Sequence, residues 1–296
     1  MILARARDLT AQKNLTTLVF TFDPHPTKVL KGDGSLRLLQ SREQKLRILK
    51  DWGFSDVLLF PFTHQFSMLS PRQFMEEILL KRLKAAGVVV GTLFNFGHDR
   101  KGNADTLKEL GDMHGFSVIG VPPFRHRGHV VSSTWIRTCL SRSDLAEAEE
   151  LLGRPYAVEG EVVLGDRRGT GLGFPTANIA AEQEIIPPPG VYLTLCFDGS
   201  AIWSAMTNIG FRPTFGEGNM LTIESHLLGF NGDLYGKRLE VFFLAKKRDE
   251  INFESVASLR LQLEQDRADA FAWFASHPSG LARCRPALPP PSTIAE

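Results

Sequence analysis

Cysteine is scarce in this chain: Cys139, Cys196 and Cys284 are the only three in 296 residues, far apart and odd in number. None belongs to a Cys-x-x-Cys pair, so neither a zinc site nor a disulfide framework is indicated. A reducing cytoplasm is the simple expectation. Net charge is almost absent, at +1. No global field draws the chain to nucleic acid or to an anionic membrane, and any phosphate it binds must be held locally. Long apolar runs are also missing: none approaches the roughly 20 residues of a membrane span, and the opening MILARARDL lacks the apolar core of a signal peptide. Internal repeats are absent. The expected partners are therefore small molecules, with no nucleic acid and no membrane; the sequence does not set the oligomeric state.

The residues present suit an ordinary soluble globular protein, 43% hydrophobic and 23% charged. The length corresponds to about two domains of roughly 150 residues each. The first half alternates strand and helix patterns. Leu15–Phe22 is β-branched and apolar, a buried strand. Ser41-x-x-Gln44 is a capping-box signature for a helix that stops near Gly53. Val57–Phe62 is a second strand, and Ser70-Pro71 opens a helix ending at Gly87. Val88–Gly91 and Phe116–Val121 are further strands, with a helix over Ala104–Met113 between them. Ser132 or Ser133 caps a helix through Cys139, and Asp144–Leu152 forms another. Such alternation implies a parallel sheet with helices on both faces. The pattern begins inside a helix, with Ile2, Leu3, Ala6 and Leu9 as its apolar stripe. An α/β domain normally opens with a strand whose following turn binds phosphates.

After about Gly153 the pattern changes to short β-like runs: Ala157–Leu164, Val191–Phe197, Ala201–Thr207, Thr222–Leu228 and Leu239–Leu244. Gly, Pro, Asn and Asp separate them, as in a compact antiparallel sheet or barrel. A helix follows over about Phe253–Phe274. The segment from there on, with Pro286 and Pro289-Pro290-Pro291, is expected to be a disordered tail.

Two stretches carry candidate chemistry. Gly165, Arg168, Gly169, Gly171 and Gly173 lie in a loop whose backbone N–H groups and arginines could approach phosphates. It is not a P-loop, because the Gly-Lys-Ser/Thr ending is missing, and no long helix follows as in a dinucleotide fingerprint. Just beyond Pro175, Thr176 and Asn178 are two apart and share a face if extended. Their neutral oxygens suit a hard cation such as Mg²⁺ that also takes phosphate oxygens and waters. A glycine-rich hairpin fits the same spacing. In Thr222–Leu228, alternation puts Thr222, Glu224 and His226 on one face. A mid-strand carboxylate suits a general base; a solvated glutamate and a structural histidine are the plainer alternatives.

Together with Gly190–Tyr192, Asn208–Gly216, Ile223–Phe243 and Arg248–Glu250, these stretches resemble the riboflavin kinase domain over residues 154–274. The resemblance implies a six-stranded antiparallel barrel with a C-terminal helix. Thr176 and Asn178 would bind Mg²⁺–ATP within the glycine-rich loop, and Glu224 would deprotonate the ribityl hydroxyl of riboflavin. Residues 1–153 resemble the Rossmann-like nucleotidyltransferase (FAD synthetase) domain of the bacterial bifunctional enzymes that make FMN and then FAD. The matching stretches are Thr21–Pro26, Pro61–Phe74, Val88–Gly97 and Val131–Arg137. By that resemblance His25, Pro26, Ser132, Ser133, Thr134 and Arg137 would bind ATP; helix capping by Ser132 or Ser133 and a proline turn at His25-Pro26 are the simpler readings.

Two departures lie in this half. The family opens on a strand carrying Gly-x-Phe-Asp-Gly-x-His-x-Gly-His, and Met1 stands just after where that motif would end. Leu93 and Asn95 occupy positions where the family more often has Asp or Asn, then Arg or Thr. The expectation is an ATP-dependent riboflavin kinase over residues 154–274, able to fold and work alone, with a tail at 275–296. FMN adenylylation to FAD by residues 1–153 is expected only with the opening motif restored. A non-catalytic flavin-binding protein and an adenylyltransferase for another substrate are the competing classes.

Overall fold

The computed structural model describes residues 1–32, 34, 36–165, 168–213, 219–277 and 281–284. They divide into two units, one within residues 1–37 and 46–131, the other within 38–45 and 132–284.

In the first unit, apolar β-branched and aromatic runs form strands as expected, shortened at their ends. β1 (Val19–Phe22) pairs in parallel with β2 (Val57–Phe60), Val19 opposite Val57 and Phe22 opposite Phe60. β3 (Gly87–Gly91) pairs in parallel with β4 (Ser117–Val121). The expected parallel pairing is present, but divided between two two-stranded sheets rather than joined in one. Helix α1 (Ile2–Lys13) packs against β3. Helix α2 (Pro26–Lys31) follows β1. Phenylalanines dominate the core: Phe20, Phe22, Phe60, Phe66, Phe74 and Phe96 meet edge-on or tilted, with ring centroids 4.9–6.5 Å apart. Ser70 caps the next helix with Pro71 in its first turn, as the sequence implies, and Gln73 makes the cap a reciprocal capping box. The helix it opens becomes a π-helix over Phe74–Arg82. That helix ends five residues before the expected Gly87, where Lys84 turns with φ 48°. A cavity of about 1480 Å³ lies in this unit, lined by Phe20, Phe22, Leu30, Val88, Val90 and Leu107 among others.

The second unit is built on a closed six-stranded antiparallel barrel. Its strands are β5 (Tyr156–Val163), β6 (Ala177–Ala181), β7 (Gly190–Phe197), β8 (Ile202–Pro213), β9 (Asn219–Leu227) and β10 (Arg238–Arg248). The order around the barrel is β6-β9-β8-β7-β10-β5, closing on β6. Hydrophobic alternation identifies five of these strands. β6 escapes it because it is five residues long and alanine-rich. β8 and β10 run on into the polar stretches NIGFRP and AKKR, where barrel closure supplies hydrogen-bond partners that local propensity does not foresee. The interior holds Tyr192, Ile209, Leu239, Val241 and Phe243, all less than 2% exposed, while Leu195 and Phe242 face the other way and are buried with Trp273 and Phe274.

Helices flank the barrel in this unit. α3 (Ser133–Ser141) is capped by Ser132, and α4 (Leu145–Leu152) is capped by Asp144 and packs on β5 and β10. α5 (Val256–Ser276) starts at the Ser255/Ser258 capping box and buries Ala270, with Trp273 and Phe274 against the barrel. Within the segment expected to be a tail, Leu281–Cys284 forms a helical turn; Cys284 is buried, and Arg283 pairs with Glu149 at 2.8 Å. The proline run from Pro286 to Pro291 lies outside the described residues.

Candidate active site

The glycines after β5 are there because backbone and side chains crowd them. A Cβ on Gly165 would lie 2.2 Å from Asn178 Nδ2, and one on Gly169 would lie 2.2 Å from the Phe174 carbonyl oxygen. The chain makes a helical turn over Arg168–Gly171, and the Phe174 N–H returns to the Gly169 oxygen at 2.8 Å. The loop thus folds back so that Pro175 leads directly into β6. Gly171 and Gly173 lie on its exposed side. Asp166 and Arg167, part of the same motif, lie outside the described residues, and nothing is drawn from the Arg168 side chain.

At the start of β6 the Thr176 hydroxyl donates to Glu224 Oε2 at 3.4 Å. Asn178 on β6 stands directly opposite Glu224 on β9, and Asn208 on β8 stands opposite it on the other side. Paired residues share a face of the sheet. Ile223, Ser225 and Leu227 are buried inside the barrel while Thr222, Glu224 and His226 are half-buried outside it, the alternation expected from sequence. The outer face therefore carries a continuous polar row: Asn178, Glu224 and Asn208, with Thr176 hydrogen-bonded to its centre. Asn208 is the member that sequence reasoning missed. Its signal was present in the strand-like Asn-Ile-Gly, but the register that sets it beside Glu224 is tertiary. Glu250 is a second missed neighbour: a Cβ on Gly210 would fall 2.1 Å from Glu250 Oε1 and 3.1 Å from Asn208 Nδ2.

Beside this row is a pocket of about 590 Å³, lined by Gly173, Pro175, His226, Phe230, Arg267 and Phe271. The Arg267 guanidinium carbon lies 4.8 Å from the centre of the Phe174 ring, and the His226 ring is 5.3 Å from it. His226 Nδ1 lies 2.9 Å from the Pro175 oxygen. Burial pushes this imidazole below its ordinary pKa; the Pro175 carbonyl opposes the shift and Arg267 adds to it. The rings of His226, Phe230 and Phe271 line the pocket, and Gly173 and Pro175 join it to the loop that leads to Thr176.

Of the residues expected to hold ATP in the first half, His25 and Ser132 are helix caps. His25 caps α2, its Nδ1 accepting from the Thr27 N–H at 3.1 Å, and Pro26 is the first helical residue. Pro26 also lines the larger cavity of that unit. Ser132 Oγ accepts from the Trp135 N–H at 3.2 Å, so Ser133, Thr134 and Arg137 lie on the first turns of α3, where backbone N–H groups remain open to an anion. The Asn95 amide donates to the Leu93 oxygen at 2.9 Å and closes a local turn.

Two family models match the chain: one described as riboflavin kinase over residues 152–274, and one described as FAD synthetase over residues 1–135. Among curated relatives, the bifunctional riboflavin kinase/FMN adenylyltransferase of Escherichia coli strain K12 is 35% identical over 264 residues, covering 89% of this chain and 84% of the relative. The protein of that name from Bacillus subtilis strain 168 is 32% identical over 280 residues, covering 93% and 88%. A solved structure described as a macrolide-efflux protein from Streptococcus pneumoniae superposes with a TM-score of 0.81 at 30% identity, covering 92% of this chain and 88% of that one. Among the described residues no helix is long and apolar enough to cross a membrane.

Proposed function

Since this chain belongs to the bifunctional riboflavin kinase/FMN adenylyltransferase family, whose members are transferases of flavin biosynthesis, we propose that the outer face of its barrel, around Glu224, is where riboflavin is phosphorylated. The contact that carries the reading is the hydrogen bond from Thr176 to Glu224, with Asn178 opposite Glu224 in the neighbouring strand. It sets a carboxylate able to accept a proton beside two neutral oxygen donors.

Those donors fit Mg²⁺. The Thr176 hydroxyl and the Asn178 amide oxygen are hard, neutral ligands that leave most positions to phosphate oxygens and water, and Gly165 lets the loop backbone close over Asn178 without a side chain between. When bound, the ion would neutralise charge on the transferring phosphoryl group. Glu224 accepts the proton of the flavin's primary hydroxyl as that oxygen attacks the terminal phosphorus, and the bond to ADP breaks. The N–H groups of Gly165, Gly169, Gly171 and Gly173 hold the phosphate chain, and the base of ATP lies in the pocket against Phe230, Arg267 and Phe271. Phosphoryl transfer depends mostly on positioning and charge neutralisation, so these residues act before any bond changes. For the second reaction, adenylylation of FMN, we assign to ATP the residues at the start of α3, Ser132, Ser133, Thr134 and Arg137.

The test is product formation by the purified chain, with FMN and FAD resolved by chromatography. Riboflavin, ATP and Mg²⁺ should give FMN, and EDTA should stop the reaction. Glu224→Gln keeps size and removes basicity; it should lower kcat by roughly 10²–10⁴-fold with the KM for ATP little changed. A Glu224→Gln protein of near-normal turnover would return Glu224 to a structural role.

A further inference from the structure

We infer that His226 reads the 6-amino group of the adenine base, and so makes the kinase site selective for ATP over nucleotides that lack a hydrogen-bond donor at that position. The inference rests on the assignment of the base to the pocket beside Phe174.

The argument starts from the tautomer. His226 Nδ1 lies 2.9 Å from the backbone oxygen of Pro175. A carbonyl oxygen only accepts, so Nδ1 carries the proton. In the neutral ring Nε2 is then an acceptor with a free lone pair. Among the described residues His226 makes no other hydrogen bond, and its ring lines the pocket. Burial keeps the imidazole neutral near pH 7 by pushing its pKa down.

The surroundings restrict what that lone pair can meet. Arg267 and Glu264 from α5 are the charged side chains that line the same pocket. The Arg267 guanidinium carbon lies 4.8 Å from the centre of the Phe174 ring, a cation–π contact that occupies part of its charge. A phosphate would need a second donor where Nε2 offers an acceptor. A flat, uncharged ring bearing an N–H donor at its edge satisfies both the rings that line the pocket and the lone pair. Adenine meets this description through its 6-amino group; hypoxanthine presents an oxygen there, and unsubstituted purine presents only carbon and hydrogen. The same bond ties base reading to the catalytic loop, because Pro175, which fixes the tautomer, immediately precedes Thr176.

Two substitutions separate the ring's two nitrogens. His226→Asn keeps a donor near the Nδ1 position for Pro175 and loses the acceptor at Nε2. His226→Gln places an amide oxygen near Nε2 and gives up the Pro175 bond. The measurement is kcat/KM for riboflavin phosphorylation with ATP and with the triphosphate of unsubstituted purine riboside, taken as a ratio within each protein, so differences in folded fraction cancel. The original chain should prefer ATP by about tenfold or more, the effect of one well-placed hydrogen bond. His226→Asn should bring the ratio close to one, through KM for ATP rather than kcat. His226→Gln should retain most of the preference. A His226→Asn protein with the original ratio overturns the inference. If it weakens both nucleotides equally, the base still occupies the pocket and only the reading of its amino group is wrong. If neither substitution alters the KM for either nucleotide, the placement of the base fails as well.

Discussion

At the scale of single residues, the barrel holds its loops with local hydrogen bonds whose charge state matters. Asp198, in the β7–β8 turn, accepts from the Ser200 and Ala201 N–H groups, the Ser200 hydroxyl and the Trp203 indole at 2.7–3.0 Å. Burial pushes its carboxyl upward, but the bonds from Ala201, Ser200 and Trp203 outweigh that and hold it well below the usual carboxylate range. A depressed folded pKa contributes stability above the unfolded value, about 3.9, and loses it as pH falls through the folded value. Asp198→Asn should therefore lower Tm at pH 7 by roughly 2–4 °C. The gap to the original protein should stay constant down to about pH 5 and shrink below about pH 4. A gap that does not change with pH in thermal melts would mean that the charge on Asp198 is not what stabilises the turn.

Among elements, the attachment of α5 to the barrel decides whether the pocket beside Phe174 exists, since Arg267 and Phe271 come from that helix. Part of the attachment is apolar, through Ala270, Trp273 and Phe274. The rest is ionic: Arg248 on β10 donates twice to Asp266 Oδ2, at 2.9 and 2.7 Å, with the Asp266 side chain only 1% exposed. Removing one partner of such a pair leaves an uncompensated buried charge, whereas replacing both with apolar groups is often neutral or better. Arg248→Met should accordingly cost about 3–5 kcal/mol in urea unfolding, and adding Asp266→Leu should recover most of it. Equal losses for the single and double variants would show that the pair is a surface interaction. Asp266 is adjacent to Arg267, so the single variant should also raise the KM for ATP.

For the molecule as a whole, the sequence pattern sets a boundary near Gly153, yet the barrel's contacts reach further back. The Tyr192 hydroxyl donates to the Pro188 oxygen at 2.5 Å and shares a 3.1 Å hydrogen bond with Ser143. Gln44, fully buried, donates its side-chain N–H to the Ala157 oxygen at 3.1 Å, and the Ser41 hydroxyl accepts from the Gln44 backbone N–H at 3.0 Å and donates to Glu159 at 2.9 Å. α4 buries Leu145, Ala148 and Leu151 on its apolar side. A fragment of residues 132–284 should thus melt at a higher temperature than one of residues 154–284, because burying each large apolar side chain stabilises by about 1.5–3 kcal/mol. Calorimetry decides this: equal Tm values would mean that α3 and α4 are dispensable and that the boundary read from sequence is also the energetic one.

Local patterns were sufficient for much of this protein. Alternation separated the two faces of Thr222–Leu228; serine followed by proline or a compatible third residue marked helix starts; a glycine cluster before Pro-Thr-Ala-Asn marked the loop. Each depends on interactions within a few residues, so each is written in the chain's order. The Asn178–Glu224–Asn208 row is different. It sets side by side residues 46 and 16 positions apart in sequence from three strands, through the register of the closed barrel alone. Glu250 beside Gly210, the contact of Arg267 with Phe174 and the tautomer of His226 have the same origin. So does the half-formed capping box at Ser41: its hydroxyl accepts from the Gln44 N–H at 3.0 Å, while the Gln44 amide group donates to a carbonyl 113 residues away. Hydrogen bonds and packing contacts depend on distance in space, and only the folded chain brings those partners within reach.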